Sequence, residues 1–177
     1  MKERPIIFSS PMVKAILEGR KTQTRRVVRD QPEGMDPCYG KAFRKDFGGR
    51  RCPYGAPGDF LWVKETFAKP PHEDRIIYRA TAASYEDATE YKWRPSIFMP
   101  RTASRIDLEI VNVLVERLQE ISEEDAIKEG CPEQDWYRVP GGPGKWFSST
   151  WDKINGEKCP WISNPWVWCI EFKRVTP

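Results

Sequence analysis

The sequence predicts an α+β fold, mainly β with short helices, in which a small β-barrel carries loop insertions. Three observations lead to this prediction: the strand-like segments are several and separated, the amphipathic segments are few and short, and stretches rich in glycine, proline and charge lie between them. A chain of 177 residues has the length of one domain, because domains most often contain about 100–150 residues. We therefore expect a single domain over 1–177, with insertions at about 29–57 and 131–165.

The start of the chain predicts a strand, a helix and a second strand. Ile6–Phe8 is apolar and extended in character, and Ser10–Gly19 has apolar residues at helical spacing between a possible N-cap, Ser10, and a terminating glycine, Gly19. Thr22–Val28 is rich in residues that favour strands. Strand alternation places three polar residues on one face of this segment: Thr22, Thr24 and Arg26.

The rest of the chain predicts further strands and two more helices. The strands are expected at Phe60–Val63, Arg75–Ala80, Arg105–Leu118 and Trp166–Lys173. In the longest of these, the apolar residues change parity near Val111–Asn112, which predicts a β-bulge. One helix is expected at Ser122–Gly130, where Ser122 starts a capping-box pattern. The other is expected at Lys145–Asn155, with Trp151 and Ile154 on its inner side.

Composition excludes several classes of protein. The 29 basic and 26 acidic side chains give a net charge of +3, which permits a polyanionic partner without demanding one. No apolar run approaches the ~20 residues of a membrane span, and the start of the chain lacks a signal-peptide core. We expect a cytoplasmic protein that does not contact membranes, with a monomer favoured. The single histidine, His72, lies in a proline-flanked acidic stretch that predicts an exposed loop, so histidine triads are not expected.

The cysteines indicate neither a disulfide framework nor a zinc ribbon. Their number is odd, and none of them forms a CxxC pair: Cys38, Cys52, Cys131, Cys159 and Cys169. Cys38 and Cys52 flank a stretch rich in glycine and arginine, where a metal ion would need two further ligands. We therefore expect no bound metal and no cofactor.

The most informative segment runs from Leu17 to Arg26, where a helix passes into a strand. A threonine hydroxyl such as that of Thr24 is a poor nucleophile unless a base takes its proton. A lysine such as Lys21 can be that base if burial or nearby cations lower its pKa, and Arg20, Arg25 and Arg26 supply such cations. The alternative interpretation is a basic surface turn that contacts solvent or phosphate.

The same segment resembles the signature of a known family. Gly19-x-Lys21-x-x-Thr24-x-Arg26 is similar to the G-x-K-x-x-E-x-R signature of ASCH domains, a branch of the PUA-like superfamily, with threonine at the glutamate position. Small bacterial ASCH proteins that hydrolyse N4-acetylcytidine read G-R-K-T-x-T-x-R at this place, as this chain does. Over its whole length the chain also resembles ASCH-containing proteins of phages and prophages.

The resemblance implies a role for each matching residue. Lys21 would be the base, Thr24 the nucleophile and Glu129 the acid/base, with no metal involved. Glu129 falls at the family position in the short helix after the long strand, although three other glutamates lie nearby: Glu123, Glu124 and Glu133. Arg26 would line the pocket, and we also assign substrate binding to Arg20.

A second candidate region is the loop from Trp93 to Arg101. Its mixture of basic and aromatic residues suits base stacking and phosphate contact, which makes Trp93, Arg94 and Arg101 candidate substrate-binding residues. The alternative is a loop that its own aromatic side chains anchor to the barrel.

Three functions remain open from the sequence. The first is an amidohydrolase that acts on N4-acetylcytidine or a related acylated nucleoside or base. The second is a module that binds RNA or DNA, for which a modified base is one possible ligand. The third is an ASCH-type ribonuclease, in which Lys21 and nearby arginines stabilise a phosphate transition state. The expected partner is accordingly a nucleoside or RNA.

Overall fold

The computed structural model describes residues 1–29, 31, 51–70, 75–82 and 91–175. The strands are β1 (Glu3–Ile7), β2 (Gln23–Val27), β3 (Phe60–Lys64), β4 (Phe67–Ala68), β5 (Ile77–Tyr78), β6 (Asp107–Arg117) and β7 (Trp166–Val175). The α-helices are α1 (Ser10–Leu17), α2 (Glu123–Lys128), α3 (Asp135–Arg138) and α4 (Gly142–Asn155). Short 3-10 turns lie at Ser96–Phe98, Arg101–Ala103, Leu118–Glu120 and Trp161–Ser163.

A mixed sheet forms the centre of the molecule. Its five strands lie in the order β1-β3-β6-β7-β2, and β4 pairs separately with β5. The β1–β3 pair is parallel, whereas the pairs β3–β6, β6–β7 and β7–β2 are antiparallel. The predicted α+β class is confirmed. Among the described residues the sheet is open rather than closed into the expected barrel, since the two edge strands, β1 and β2, do not pair with each other. Helix α1 connects them.

The two longest strands, β6 and β7, pair along nearly their whole lengths. The register shifts between Ile110 and Asn112, which confirms the predicted bulge. The bulge explains the change of parity, because one additional residue moves the following side chains to the other face of the sheet. The predicted strand at Arg75–Ala80 is much shorter in the structure, where only Ile77 and Tyr78 pair.

Of the three apolar clusters in the described residues, two hold α1, α2 and α4 on the sheet. The larger lies between the sheet and α1, and it contains Val13 and Ile16 of the helix together with buried residues of β1, β3, β6 and β7. The smaller joins α2, α4 and the ends of the long strands, through Leu118, Ala126, Phe147, Trp151 and Val167. Alternating apolar residues in the strands face the larger cluster, as period-two patterning requires.

The helix boundaries differ in detail from those expected. Ser9, not Ser10, occupies the N-cap of α1, and no side-chain hydrogen bond caps this helix. Ser122 caps α2 as predicted, since its hydroxyl oxygen accepts a hydrogen bond from the backbone N–H of Asp125 at 3.1 Å. Helix α4 begins three residues before the predicted Lys145. Its Trp151 is buried as expected, but Ile154 is 55% exposed, because it faces a cleft rather than the core.

The two predicted insertions are described to different extents. The segment 131–165 contains α3 and α4, so it adds a helical layer beside the sheet. Most of 29–57 lies outside the described residues, as do Cys38 and His72. In the described part of the chain, no helix has both the length and the apolar character needed to cross a membrane.

Candidate functional site

Lys21 is held at the point where α1 turns into β2. Gly19 adopts a φ of 75°, a left-handed conformation that glycine accepts readily, and the backbone N–H of Lys21 then donates to the carbonyl oxygen of Ala15 at 3.1 Å. The side chain is directed inward and is fully buried. Its ammonium group donates to the backbone oxygens of Gln23 and Glu129, both at 2.8 Å, and to Oε2 of Glu129 at 2.6 Å.

Glu129 is the residue that follows α2. Gly130 comes next with a φ of 102°, and a Cβ atom there would lie 3.1 Å from Ala15 Cβ and 3.2 Å from Lys21 Cβ. Glycine at this position therefore allows the end of α2 to approach the end of α1 closely. The backbone N–H of Thr22 donates to the carbonyl oxygen of Lys128 at 2.9 Å, which fastens the two segments together.

Arg25 supports the other oxygen of Glu129. Its NH1 group donates to Glu129 Oε1 at 3.2 Å and to the side-chain oxygen of Gln23 at 2.7 Å. Its NH2 nitrogen lies 2.6 Å from an oxygen of Glu116 on β6 and 3.2 Å from an oxygen of Asp125 on α2. The guanidinium is fully buried, so the carboxylate of Glu129 is clamped between two buried cations.

Burial and charge shift the proton affinities of this cluster. Burial lowers the pKa of Lys21 from its usual 10.5; the Glu129 carboxylate raises it, and the positive charges of Arg26 and Arg25 lower it. Burial also raises the pKa of Glu116, which the charge of Arg25 partly offsets. A buried lysine with a lowered pKa is more readily available as a base than an exposed one.

A cleft between α1 and α4 opens beside this cluster and has two chambers. The smaller, of about 350 Å³, is lined by Thr24, Arg25, Arg26 and Glu129, with Phe8 and Thr66 on its walls. The larger, of about 650 Å³, is lined by Arg20, Glu129, Glu133, Lys14, Lys153 and Trp146. Five residues line both chambers: Ser9, Met12, Glu129, Thr150 and Ile154. Glu129 is thus the charged residue common to both.

Thr24 is 3% exposed and contributes to the smaller chamber together with Glu129. Lys21 is not among the residues that line either chamber. Among the described residues, its amine donates to Gln23 and Glu129 and forms no hydrogen bond with the Thr24 hydroxyl. Glu129 therefore lies between the buried lysine and the space that Thr24 faces.

The predicted substrate-binding arginines lie in different chambers. Arg20 lines the larger one, where its side chain donates to Glu18 at 2.9 Å and to the carbonyl oxygen of Gly130 at 2.8 Å. Arg26 lines the smaller one, donates to the carbonyl oxygen of Ile7 at 2.7 Å and lies 5.2 Å from the centre of the Phe8 ring. Both contribute positive charge to the walls of the cleft.

The other three predicted binding residues lie outside the cleft lining. Trp93 packs edge-on against Tyr91, and the guanidinium of Arg94 lies 5.7 Å from the ring centre of Phe67. Arg101 forms ion pairs with Glu3 and Asp107 at the sheet edge. These contacts agree with the alternative of a loop anchored by its own side chains, and the structure does not bring the three residues to Thr24.

Sequence reasoning gave Arg25 only a general role, as a cation near Lys21, and missed one wall of the cleft. Arg25 lies within the motif at a position that varies in the signature, so the resemblance carries no role for it. Strand alternation separates Arg25 from Thr24 and Arg26, whereas in the structure all three residues line the smaller chamber. Helix α4 forms one wall of the cleft through Phe147, Thr150 and Trp151. No local sequence pattern could predict this wall, because tertiary packing alone brings α4 to the cleft.

The fold is similar to those of solved structures. One is an ASCH domain from Lactobacillus crispatus JV V101, with a TM-score of 0.49 and 12% identity over 98% of this chain and 79% of that chain. Another is a protein from Enterococcus faecalis V583 of the DUF984 family, with a TM-score of 0.46 and 10% identity over 99% of this chain and 80% of that one. No family model and no curated protein matches the sequence.

Proposed function

We propose that this protein is an amidohydrolase that removes the acyl group from N4-acetylcytidine or a related acylated nucleoside or base. One observation carries the proposal: Thr24 and Glu129 line the same chamber of about 350 Å³, and Glu129 accepts a hydrogen bond from the buried amine of Lys21. A hydroxyl, a carboxylate and a lysine of lowered pKa can together carry out acyl transfer without a metal. The motif resemblance supports the same three residues.

The first step is attack by the Thr24 oxygen on the amide carbonyl carbon of the substrate. Lys21, in its neutral form, takes the hydroxyl proton, and Glu129 lies between the two groups as the route for that proton. The carbonyl oxygen becomes negatively charged, and the guanidinium of Arg26 on the chamber wall is the cation available to stabilise it.

The second step breaks the bond between the carbonyl carbon and the exocyclic nitrogen of the base. Lys21 returns the proton taken from Thr24 through Glu129 to this nitrogen, so the free amine leaves and the acyl group stays on Thr24 as an ester. Water then attacks the ester, loses its proton to the same Lys21–Glu129 pair, and releases the carboxylic acid with regeneration of the Thr24 hydroxyl. Each proton removed in one step is returned in another.

The direct test is incubation of the purified protein with N4-acetylcytidine and a panel of other N4-acylated cytidines and cytosines. We expect chromatography to show cytidine or cytosine together with one equivalent of the free acid. If every acyl group stays in place across the panel, the amidohydrolase proposal is wrong.

Replacement of the nucleophile sharpens this test. Thr24→Val keeps the shape of the side chain and removes the hydroxyl, so we expect kcat to fall by more than about 1,000-fold. The matched control is Thr22→Val, the same change two residues away at an exposed position outside the cleft lining, which should retain activity. Equal activity of the two variants would remove Thr24 from the mechanism.

One observation favours a second function, the binding of RNA or DNA at the same cleft. Several cations line the cleft, among them Lys14, Arg20 and Lys153 in the larger chamber and Arg26 in the smaller one, and positive charge suits the phosphates of a nucleic acid. This function predicts retention of oligonucleotides at low salt, with affinity that falls steeply as ionic strength rises. A cleavage assay on the same oligonucleotides separates simple binding from ribonuclease activity.

A further inference from the structure

Arg25 lies behind Glu129 and contacts more charged groups than any residue that the motif resemblance assigns. Its guanidinium is fully buried and lies against three carboxylates. Glu116 belongs to β6, Asp125 to α2, and Glu129 follows the last residue of α2. The Phe147 ring of α4 lies 5.7 Å from its central carbon. Strand β6, helix α2 with the residue after it, and helix α4 therefore all contact this one side chain.

The charged groups around Lys21 are fewer. Glu129 faces it from the end of α2, and the charges of Arg25 and Arg26 act on it from β2. The Phe8 ring lies 5.7 Å from its amine. Glu129 is the only carboxylate within hydrogen-bond distance of that amine among the described residues, so the loss of the Lys21 proton would leave Glu129 dependent on Arg25.

We propose that Arg25 is a positioning residue that allows Lys21 to act as a base, because its permanent charge holds the Glu129 carboxylate whether or not Lys21 carries a proton. An unpaired buried carboxylate is strongly unfavourable, and a guanidinium does not lose its proton in proteins. Oε1 of Glu129 keeps its contact with Arg25 when Oε2 loses the ammonium. The inference rests on the proposed amidohydrolase function, in which Lys21 must be neutral before Thr24 attacks.

The test follows the protonation of Lys21 without any substrate. The 13Cε signal of Lys21, assigned by comparison with Lys21→Met, is titrated by NMR in the full chain and in Arg25→Gln. We expect the midpoint of the titration to rise by about one pH unit or more in Arg25→Gln, because a nearby positive charge has been removed while Glu129 remains. An unchanged or lower midpoint would overturn the proposal, even if the variant is less stable.

Two further variants separate this effect from a loss of packing. Glu116→Gln removes a partner of Arg25 but leaves the contact between Arg25 and Glu129, so we expect the Lys21 midpoint to stay within a few tenths of a pH unit. The double variant Arg25→Gln/Glu116→Gln removes one positive and one negative charge from the interior. If Arg25→Gln alone does not fold, the Lys21 titration is measured in this double variant, where the midpoint should also rise. A midpoint in this double variant equal to that of the unmodified protein would contradict the proposal.

The NMR titration and the hydrolysis assay can fail independently. If the Lys21 midpoint rises and no acylated substrate is cleaved, Arg25 has the positioning role and the amidohydrolase proposal is wrong. If substrates are cleaved and the midpoint does not move, the reaction stands and the role of Arg25 is refuted. Where both hold, the acidic limb of the kcat/KM profile should shift upward by the same amount in Arg25→Gln, since that limb reports the free enzyme's base.

Discussion

Glu129 accepts hydrogen bonds from two buried cations and also borders both chambers of the cleft. A carboxylate in this position is costly to bury unless its partners are fixed in place. Lys21 is fixed by two backbone carbonyl oxygens, and Arg25 is fixed by Gln23 and Glu116. The reactive edge of the cleft is therefore held by side chains that face the interior.

A pH-dependent contribution to stability follows from the burial of Lys21. Burial lowers the pKa of Lys21 below its usual 10.5, so the unfolded chain keeps this proton to a higher pH than the folded protein does. Compared with Lys21→Met, the free energy of unfolding of the unmodified protein should therefore rise with pH across a window that ends near 10.5. Urea denaturation of both proteins from about pH 7 to about pH 11 measures the difference. A difference that does not vary with pH would contradict this prediction.

At the residue scale, the motif predicted part of the site. Lys21, Thr24, Arg26 and Glu129 were proposed from spacing and resemblance, and the structure places Thr24, Arg26 and Glu129 on one chamber wall with Lys21 behind them. Arg25 was proposed only as one of the nearby cations that lower the pKa of Lys21, because its contact with Glu116 joins residues that are distant in sequence. A partner that only the tertiary fold brings close leaves no local pattern to recognise.

At the element scale, the position of Glu129 depends on how α2 ends. The Ser122 cap fixes the start of this helix, and Gly130 permits the chain to leave it against Ala15 and Lys21. A side chain at Gly130 would meet two atoms at 3.1 and 3.2 Å, distances at which neighbouring groups must move. The position of the Glu129 carboxylate therefore depends on the close contact of the Gly130 backbone with Ala15 and Lys21.

Comparison of two glycine variants isolates that contact. Gly130→Ala and Gly58→Ala both place alanine at a positive φ, 102° and 88°, but a Cβ at Gly58 meets no atom within 4 Å. Each should lose about 1–2 kcal/mol through the unfavourable backbone, and Gly130→Ala should lose about 1–3 kcal/mol more through crowding. Urea denaturation measures the two values. Equal losses would show that the close approach of α1 and α2 is not important for stability.

An element could be predicted from the sequence when the interactions that determine it join residues close together in the chain. The bulge in β6 and the cap of α2 were predicted because their causes lie within a few residues. The inward placement of Ile154 was wrong, because helical periodicity shows two candidate faces and tertiary packing chooses between them. The strand expected at Arg75–Ala80 shrank to two residues, since its pairing partner β4 is itself two residues long.

At the scale of the whole molecule, the two apolar clusters described above stabilise different parts of the structure. The larger one holds α1 on the sheet, and the smaller one holds α2 and α4 against the ends of β6 and β7. Helix α4 and Glu129, the residue after α2, line the cleft. Stability and site geometry are thus supported by different parts of the interior. The open order of the strands was not predictable from the pattern, because alternation fixes which face of a strand is buried but not which strands are neighbours.

Truncation of one leucine in each cluster tests this division. Leu108 and Leu118 are both fully buried, in the larger and the smaller cluster respectively. Leu108→Ala and Leu118→Ala should each lower the free energy of unfolding by about 2–5 kcal/mol. At a temperature where both variants are folded, Leu118→Ala should lose far more of the hydrolytic activity, because the cavity it leaves lies beneath α2 and α4. Equal activities would show that the smaller cluster has no special link to the cleft.

The open sheet leaves strand β1 with one edge facing away from β3. The backbone N–H of Phe8 donates to the carbonyl oxygen of Lys64, the last residue of β3, so alternation along the strand turns the nitrogen of Pro5 toward the edge that pairs with no described strand. Proline has no hydrogen to offer there, and the neighbouring Glu3 adds a negative charge. A second copy that approached to lengthen the sheet would find a gap in the ladder at its centre. Pro5 and Glu3 thus oppose the pairing of a second molecule's strand with β1, which is the step that would start aggregation at this edge.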